Sequence, residues 1–226
     1  MRTIAILAAY NLQDSIGDIV KETAKYVDEV IVVSDASSDK TNEMARAAGA
    51  KCPEHTMTRG KGFAVRKGID FSRSMDSGCI VLMDADGQHL PEEIPVLVKA
   101  VVEEDADMVV GSRMLGTLKT SAINRFGNLV LKTISFLVTF RWMTDTESGF
   151  RAFKTGKLYE LRLEAMSYEI ESELLLRSLF RNYKVVEVPI TVPKAVPGVT
   201  VMDGVKMGIY KIKLGLKHVS GRLKND

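Results

Sequence analysis

Apolar residues gather in short runs at Thr3–Ala9, Glu29–Ser34, Cys79–Asp84 and 108–111, each β-branched or otherwise apolar and closed by polar residues. Between these runs the apolar positions recur at helical spacing: Ile16, Ile19, Val20 and Val27, then Met44, Ala45 and Ala48, then Ala64, Val65, Gly68, Ile69 and Ser72. Strands alternating with helices predict an α/β fold on a mostly parallel sheet with helices on both faces. In such sheets ligands bind beyond the carboxyl ends of the strands, so the residues ending each strand carry the interest. They are polar: Tyr10-Asn11 after the first run, Asp35 after the second, and Asp84-Ala85-Asp86 after the run from Cys79.

A chain of 226 residues suits one such domain with a small C-terminal extension. Its 31 basic and 29 acidic side chains nearly cancel, so no global pull toward nucleic acid follows. Cys52 and Cys79 lie far apart without metal-ligand spacing and are expected as buried thiols. Residues 4–9 are too short and wrongly flanked for a signal peptide, which leaves Met1 as the expected start. Residues 129–140 are interrupted by Lys132 and fall short of the ~20 residues that a spanning helix needs. The expectation is a cytoplasmic protein that does not cross the membrane, with a peripheral contact on its cytoplasmic face left open.

The strongest local pattern is Val81-Leu82-Met83-Asp84-Ala85-Asp86-Gly87-Gln88-His89, where two acids leave an apolar strand and enter a glycine turn. Their carboxylates cannot both point into a core. A hard divalent cation takes oxygen ligands shared between one or two carboxylates and a diphosphate, and Asp84, Asp86 and Gln88 offer that cradle. A solvated turn before a helix start at Pro91-Glu92-Glu93 accounts for the same residues equally well. His89 is assigned no role. In Thr58-Arg59-Gly60-Lys61-Gly62-Phe63-Ala64 two glycines flank a lysine before a helix, which favours close backbone approach and an anion. The spacing is neither a Walker loop nor a dinucleotide fingerprint, so ATPase and dehydrogenase chemistry find no support. Asp35 is either a site residue or, with Ser37 and Asp39, the start of the next helix.

Taken together the motifs resemble glycosyltransferase family 2, in its dolichol-phosphate mannose synthase-like branch. Ala9-Tyr10-Asn11 resembles the P-x-Y-N-E entry, Ser34-Asp35-Ala36-Ser37-Ser38-Asp39 the D-D-G-S-x-D element, and Arg59-Gly60-Lys61-Gly62 the N-x-G-K-G turn. Asp84-Ala85-Asp86-Gly87-Gln88-His89 resembles the D-A-D-x-Q-H metal motif. Gly111-Ser112-Arg113 and Asp145-Thr146-Glu147-Ser148-Gly149-Phe150-Arg151 resemble the G-S-R and D-x-x-S-G-F-R elements of polyprenyl-phosphate glycosyltransferases. The elements occur in family order over residues 3–192. Ala8 stands where proline is usual, Leu12 where glutamate is, and Ser34 and Ala36 where an acid and a glycine are. These positions border the expected nucleoside site and leave the donor open.

The resemblance implies a GT-A (nucleotide-diphospho-sugar transferase) fold. It also implies an inverting, metal-dependent enzyme moving a hexose or N-acetylhexosamine from a GDP- or UDP-linked sugar to a polyprenyl (dolichyl) phosphate. It places Ala8, Tyr10, Asn11, Asp35, Lys61, Asp84, Ala85 and Asp86 at the donor, and Mg2+ or Mn2+ on Asp84, Asp86 and Gln88. Catalytic work falls to Asp86, Asp145 and Arg113, and contacts to the acceptor phosphate to Arg113, Arg125 and Arg151. The physics agrees, since a nucleoside diphosphate leaves readily only when its growing charge is neutralised. A phosphate acceptor is largely ionised near neutrality, its second pKa being about 6, and needs no strong base. Two alternatives stay open: a soluble hydroxyl acceptor with Asp145 as base, and a nucleotide-sugar-binding protein without turnover. Asp145 is also readable as a cap or a surface turn acid.

Glu169, Glu171 and Glu173 precede the apolar stretch 174–180 and resemble an acidic helix start of the same branch, although compensation of a helix dipole is the preferred reading. Pro189, Pro193 and Pro197 with Gly198 predict a rigid extended loop. Here Lys194-Ala195-Val196-Pro197-Gly198-Val199-Thr200 replaces an Arg-rich stretch of related enzymes. Residues 1–200 are thus assigned to the transferase domain and 201–226 to a basic amphipathic helix. Membrane contact would come from residues 124–140 and the tail 206–224. In the tail Met207, Tyr210, Leu214 and Lys217-His218 recur at helical spacing beside Lys211, Lys213 and Arg222. A core-packing helix with a solvated basic face fits that pattern as well as an interfacial one.

Overall fold

The computed structural model describes residues 1–53, 59–117, 122–193 and 200–221, with the backbone alone at 117 and 122–126. A six-stranded sheet carries the fold: β1 (Thr3–Ala9), β2 (Glu29–Ser34), β3 (Cys79–Asp84), β4 (Met108–Thr117), β5 (Arg151–Lys154) and β6 (Val185–Thr191). Its spatial order is β2-β1-β3-β5-β4-β6, all parallel except β5, which runs antiparallel to both neighbours. The helices are α1 (Ile16–Thr23), α2 (Thr41–Ala47), α3 (Lys61–Ser72), α4 (Ile94–Glu103), α5 (Ala122–Thr139), α6 (Thr155–Glu160), α7 (Glu169–Phe180) and α8 (Val201–Val219). This is the mostly parallel α/β architecture that the periodicity predicts.

β1 and β3 are buried on both faces, which is why Thr-Ile-Ala-Ile-Leu-Ala-Ala and Cys-Ile-Val-Leu-Met-Asp read as nearly unbroken apolar runs. Alternate residues still part to opposite sides. Ala5, Leu7 and Ala9 join Ile16, Val20, Ala45, Ile94 and Leu97 in one core, while Ile4 and Ile6 join Ala64, Ile69, Leu174 and Leu175 in the other. Val27 lies beyond the end of α1 and packs only partly against the core. Of the two thiols expected to be buried, Cys79 is fully buried, with its pKa pushed up to about 12 by desolvation, whereas Cys52 is only half-buried.

Two strands were not legible as such. β5 is four residues, Arg-Ala-Phe-Lys, and β6 contains Pro189. The expected proline loop therefore begins later, since β6 continues through Pro189 to Thr191. An edge strand tolerates proline because one side of its backbone has no ladder partner, and β6 is the edge beyond β4. Residues 194–199 lie outside the described residues.

α8 opens with a capping box in which Thr200 and Asp203 each bond the other's backbone amide. It then packs against α5 and α7. Gly208 and Gly215 let α5 come close: a Cβ at Gly215 would lie 2.6 Å from Val138 Cγ1. Met207 and Leu214 are buried in this contact, so the apolar face noted in the tail is a packing face. Among the described residues no helix is long and apolar enough to cross a membrane.

Candidate functional site

β1, β2 and β3 end side by side, with Ala9 opposite Ser34 and Ala8 opposite Asp84. At β2 the Asp35 carboxylate accepts the backbone amides of Arg59 and Gly60, both at 2.8 Å. Asp35 thereby sets the turn that delivers Lys61 at the start of α3. Asp39 accepts from the Thr41 and Gln13 amides at 3.0 and 3.1 Å, so the helix-start role belongs to Asp39 and not Asp35. Asn11 has φ of 51° and its side chain accepts from the Ser38 amide at 3.0 Å. Ala36 adopts φ of 50°, a backbone that glycine holds without strain. Tyr10 is 55% exposed at the rim, whereas Ala85 turns its methyl into the core and faces the site only with backbone.

Gly60 and Gly62 do allow close backbone approach, but toward the chain itself. A Cβ at Gly60 would sit 2.5 Å from Met166 O, and one at Gly62 2.7 Å from Ala165 O. This contact presses the start of α3 onto the segment preceding α7. Lys61 Nζ consequently lies 2.7 Å from Asp84 Oδ1 and 2.6 Å from Glu171 Oε1. Burial alone would lower the lysine and raise the acid, yet the lysine is held above its ordinary value by its two carboxylates. Burial would likewise raise Asp84, but Lys61 and His89 hold it well below the usual carboxylate range. Glu171 remains raised, because desolvation and the neighbouring Asp84 charge outweigh the lysine.

Glu171 is the main residue that sequence reasoning misread. Of the three acids grouped as dipole compensation, Glu169 accepts from an amide at the helix start, that of Ser167 at 3.2 Å. Glu171 faces Lys61, and Glu173 is fully buried, accepting from Arg177 and the amides of Glu164 and Ala165. Acids at i and i+2 on a helix cannot share one face, and that spacing was the available signal. His89 is also buried, with Nε2 3.6 Å from Asp84 Oδ2 and its ring 5.1 Å from that of Phe150.

Asp86 is exposed and accepts from its own turn at the Gln88 amide, 3.0 Å away, and from Gln88 Nε2. Among the described residues no three His, Cys, Asp or Glu side chains converge as a metal cluster. The donor set is nevertheless the hard-oxygen kind suited to Mg2+ or Mn2+, and a cation already stands on Asp84 in the form of the Lys61 ammonium. The opposite oxygen packs against Gly149, where a Cβ would lie 2.4 Å from Asp84 Oδ2.

Arg113 and Asp145, inferred separately, form one unit. Arg113 Nε and Nη2 donate to the two Asp145 oxygens at 2.7 and 2.8 Å, and the Arg113 amide donates at 3.1 Å. The Glu147 amide adds a further bond at 3.2 Å. Burial would raise Asp145, but Arg113 and these amides hold it below the ordinary range. Glu187 of β6 positions the loop by accepting from the amides of Thr144 and Asp145 at 2.8 and 2.9 Å.

Arg151, expected at the acceptor phosphate, is instead fully buried and spends its guanidinium on the carbonyls of Ser148, Thr146 and Glu171 at 2.8, 3.0 and 2.5 Å. A cation satisfied by backbone inside the protein ties the 146–148 loop to α7 and cannot also meet a ligand. The Arg125 side chain lies outside the described residues. Next to Arg151, Glu147 meets Lys211 of α8, which is itself fully buried and also donates to Ser135 Oγ at 2.7 Å and Leu131 O at 3.2 Å. Lys211 therefore leaves the basic face to which the tail pattern assigned it.

Comparison with known proteins matches these features to a family. Residues 4–162 match the model of Glycosyl transferase family 2. The chain is 31% identical over 239 residues to the polyprenol monophosphomannose synthase of Mycolicibacterium smegmatis, covering 98% of this chain and 89% of that protein. It is 28% identical over 239 residues to the UDP-N-acetylglucosamine–dolichyl-phosphate N-acetylglucosaminyltransferase of Methanococcus voltae, covering 93% and 95%. Glucosyl-3-phosphoglycerate synthase from Mycobacterium tuberculosis, solved with Mn2+ and UDP-glucose, superposes with a TM-score of 0.73 at 20% identity, covering 96% of this chain and 78% of that one. The fold is thus GT-A-like, and with the family model covering most of its length the chain belongs to glycosyl transferase family 2.

Proposed function

We propose that this protein is an inverting transferase that moves a hexose or N-acetylhexosamine from a nucleotide sugar to a polyprenyl phosphate. The observation that carries the reading is the Arg113–Asp145 pair, whose guanidinium lies within electrostatic reach of Asp84 at the end of β3. Asp145 already accepts four hydrogen bonds and is held acidic, which makes it a poor general base. That favours an acceptor needing no deprotonation, as a phosphate does, over a soluble hydroxyl. Both named relatives are polyprenyl- or dolichyl-phosphate enzymes.

In this reading Ala8, Tyr10, Asn11 and Asp35 border the nucleoside, with Ala85 contributing backbone. Asp84, Asp86 and Gln88 would hold Mg2+ or Mn2+, which when bound neutralises the leaving diphosphate. Arg113, oriented by Asp145, attracts the acceptor phosphate. Arg125 stays a proposed second contact, and Arg151 acts by holding the loop.

A peripheral membrane contact belongs to the same proposal. Val201, Val205, Ile209, Ile212, Leu216 and Val219 form an exposed stripe on α8, recurring every three or four residues, and Lys206, Lys213 and Lys217 line one edge of it. This face lies away from the Met207 and Leu214 side buried on α5 and α7.

The test is transfer from a panel of UDP- and GDP-sugars to a polyprenyl phosphate with Mg2+, Mn2+ or EDTA, comparing wild type with Asp86→Ala. Metal-dependent glycolipid formation lost in the variant is expected. Donor hydrolysis without glycolipid would transfer the reading to another acceptor, and no binding or turnover with any donor would end it.

A further inference from the structure

Lys61 occupies a position that the donor chemistry does not by itself require. Its ammonium is wedged between two carboxylates from different elements, Asp84 at the end of β3 and Glu171 in the first turn of α7, at 2.7 and 2.6 Å. Side-chain exposures of 21%, 21% and 8% for Lys61, Asp84 and Glu171 place the trio in a partly enclosed pocket also lined by Gly149 and Leu174, where charges are weakly screened. Nothing about Lys61 is fortuitous, because the Asp35 bonds to Arg59 and Gly60 and the glycine contacts with residues 165–167 fix where α3 begins. Asp84 Oδ1 is thus already paired with a monovalent cation when no divalent one is bound. Like charges cannot share that oxygen at short range without strong repulsion.

We propose that Lys61 is a built-in counter-ion that competes with the divalent metal for Asp84, and that Glu171 is the positioning residue that retains the ammonium when metal joins Asp84. This deepens the proposed function and rests on its assignment of Asp84 to the metal. The geometry suits the exchange, since Lys61 need only release one of two partners that it already touches. Free protein would then bind metal weakly, while a diphosphate that adds oxygen ligands shifts the balance, so metal and donor favour each other's binding. Glu171 acts through Lys61 and has no contact with the reacting atoms in this scheme.

The experiment is a Mn2+ titration of the whole chain, followed by the electron paramagnetic resonance signal of free Mn2+, without nucleotide and with GDP or UDP. Lys61→Met is expected to tighten Mn2+ binding without nucleotide by about tenfold or more, the scale of one removed like charge at short range. Glu171→Gln is expected to weaken it, because the ammonium then leans on Asp84 alone. The double variant decides between routes: if Glu171 acts through Lys61, Glu171→Gln has little effect in the Lys61→Met background. An equal weakening in both backgrounds would overturn the role given to Glu171, and a Lys61→Met protein binding Mn2+ no better than wild type would overturn the whole inference. Lys61→Gln, which keeps a donor for the carboxylates, serves if the methionine variant fails to fold. Loss of Mn2+ binding in Asp84→Asn with no effect of Lys61→Met would sink this inference and leave the metal assignment standing. Unaltered binding in Asp84→Asn would remove both.

Discussion

At the residue scale, several positions are set by what surrounds one atom. Gly149 is glycine because Asp84 stands where its Cβ would be, 2.4 Å from Oδ2. Gly149→Ala is expected to destabilise the fold by about 1–3 kcal/mol, the cost of overpacking, and to displace Asp84. Thermal unfolding and Mn2+ binding read the two effects separately, and an alanine protein equal to wild type in both would contradict the close approach. Ala36 presents the opposite case. It stands where related sequences carry glycine and keeps the left-handed backbone with φ of 50°. Ala36→Gly should therefore raise stability by about 0.5–1 kcal/mol in denaturant unfolding, by relieving Cβ strain beyond the entropy glycine costs. Asp35 and Asp84 were visible from the sequence because each ends an apolar run. Glu171 was not, because only the packing of α3 on the start of α7 gives it a partner.

At the scale of elements, the 144–151 loop is tied to three of them. Glu187 holds it to β6, Arg151 to α7, and the Glu147–Lys211 pair to α8. Lys211→Met leaves the Glu147 carboxylate, whose side chain is only 9% exposed, without its cation, and breaking such a pair from one side costs about 3–5 kcal/mol. Adding Glu147→Gln should restore most of that loss, so chemical denaturation of the four-member cycle gives a strong coupling; additive losses would show that the pair is not a unit. The same carboxylates set the acid response. Asp145 and Glu147 both have folded pKa values below their ordinary ones, despite burial, because Arg113 and Lys211 face them. Their stabilisation is complete above the unfolded carboxylate pKa of about 4 and is lost as pH falls through the depressed folded values. Unfolding free energy should decline as pH falls from about 4 to 2, with a shallower decline in the Glu147→Gln/Lys211→Met protein.

At the scale of the whole molecule, the sheet gathers the strand ends on one side, while α5 and α8 build a layer outside α7. The exposed apolar stripe of α8 is separate from its buried face, so it can be tested without disturbing the core. Ile209→Glu with Ile212→Glu should leave the melting temperature nearly unchanged and abolish cosedimentation with vesicles containing anionic lipid. Equal cosedimentation of variant and wild type would remove the membrane part of the proposal.

The sequence by itself determined the alternating α/β plan, because apolar runs and helical stripes are local patterns, and it marked Asp35, Asp84, Asp86, Arg113 and Asp145 as chemistry-bearing residues. Tertiary structure alone decided partners. It closed Arg113 onto Asp145, turned Arg151 from an expected phosphate contact into a buried tie among carbonyls, and brought Lys61 between Asp84 and Glu171. It also drew Lys211 from the basic face expected of the tail to Glu147, 64 residues away along the chain. Periodicity tells which side of an element is apolar, but a charge's partner lies across the fold, and its burial is settled only when distant elements meet.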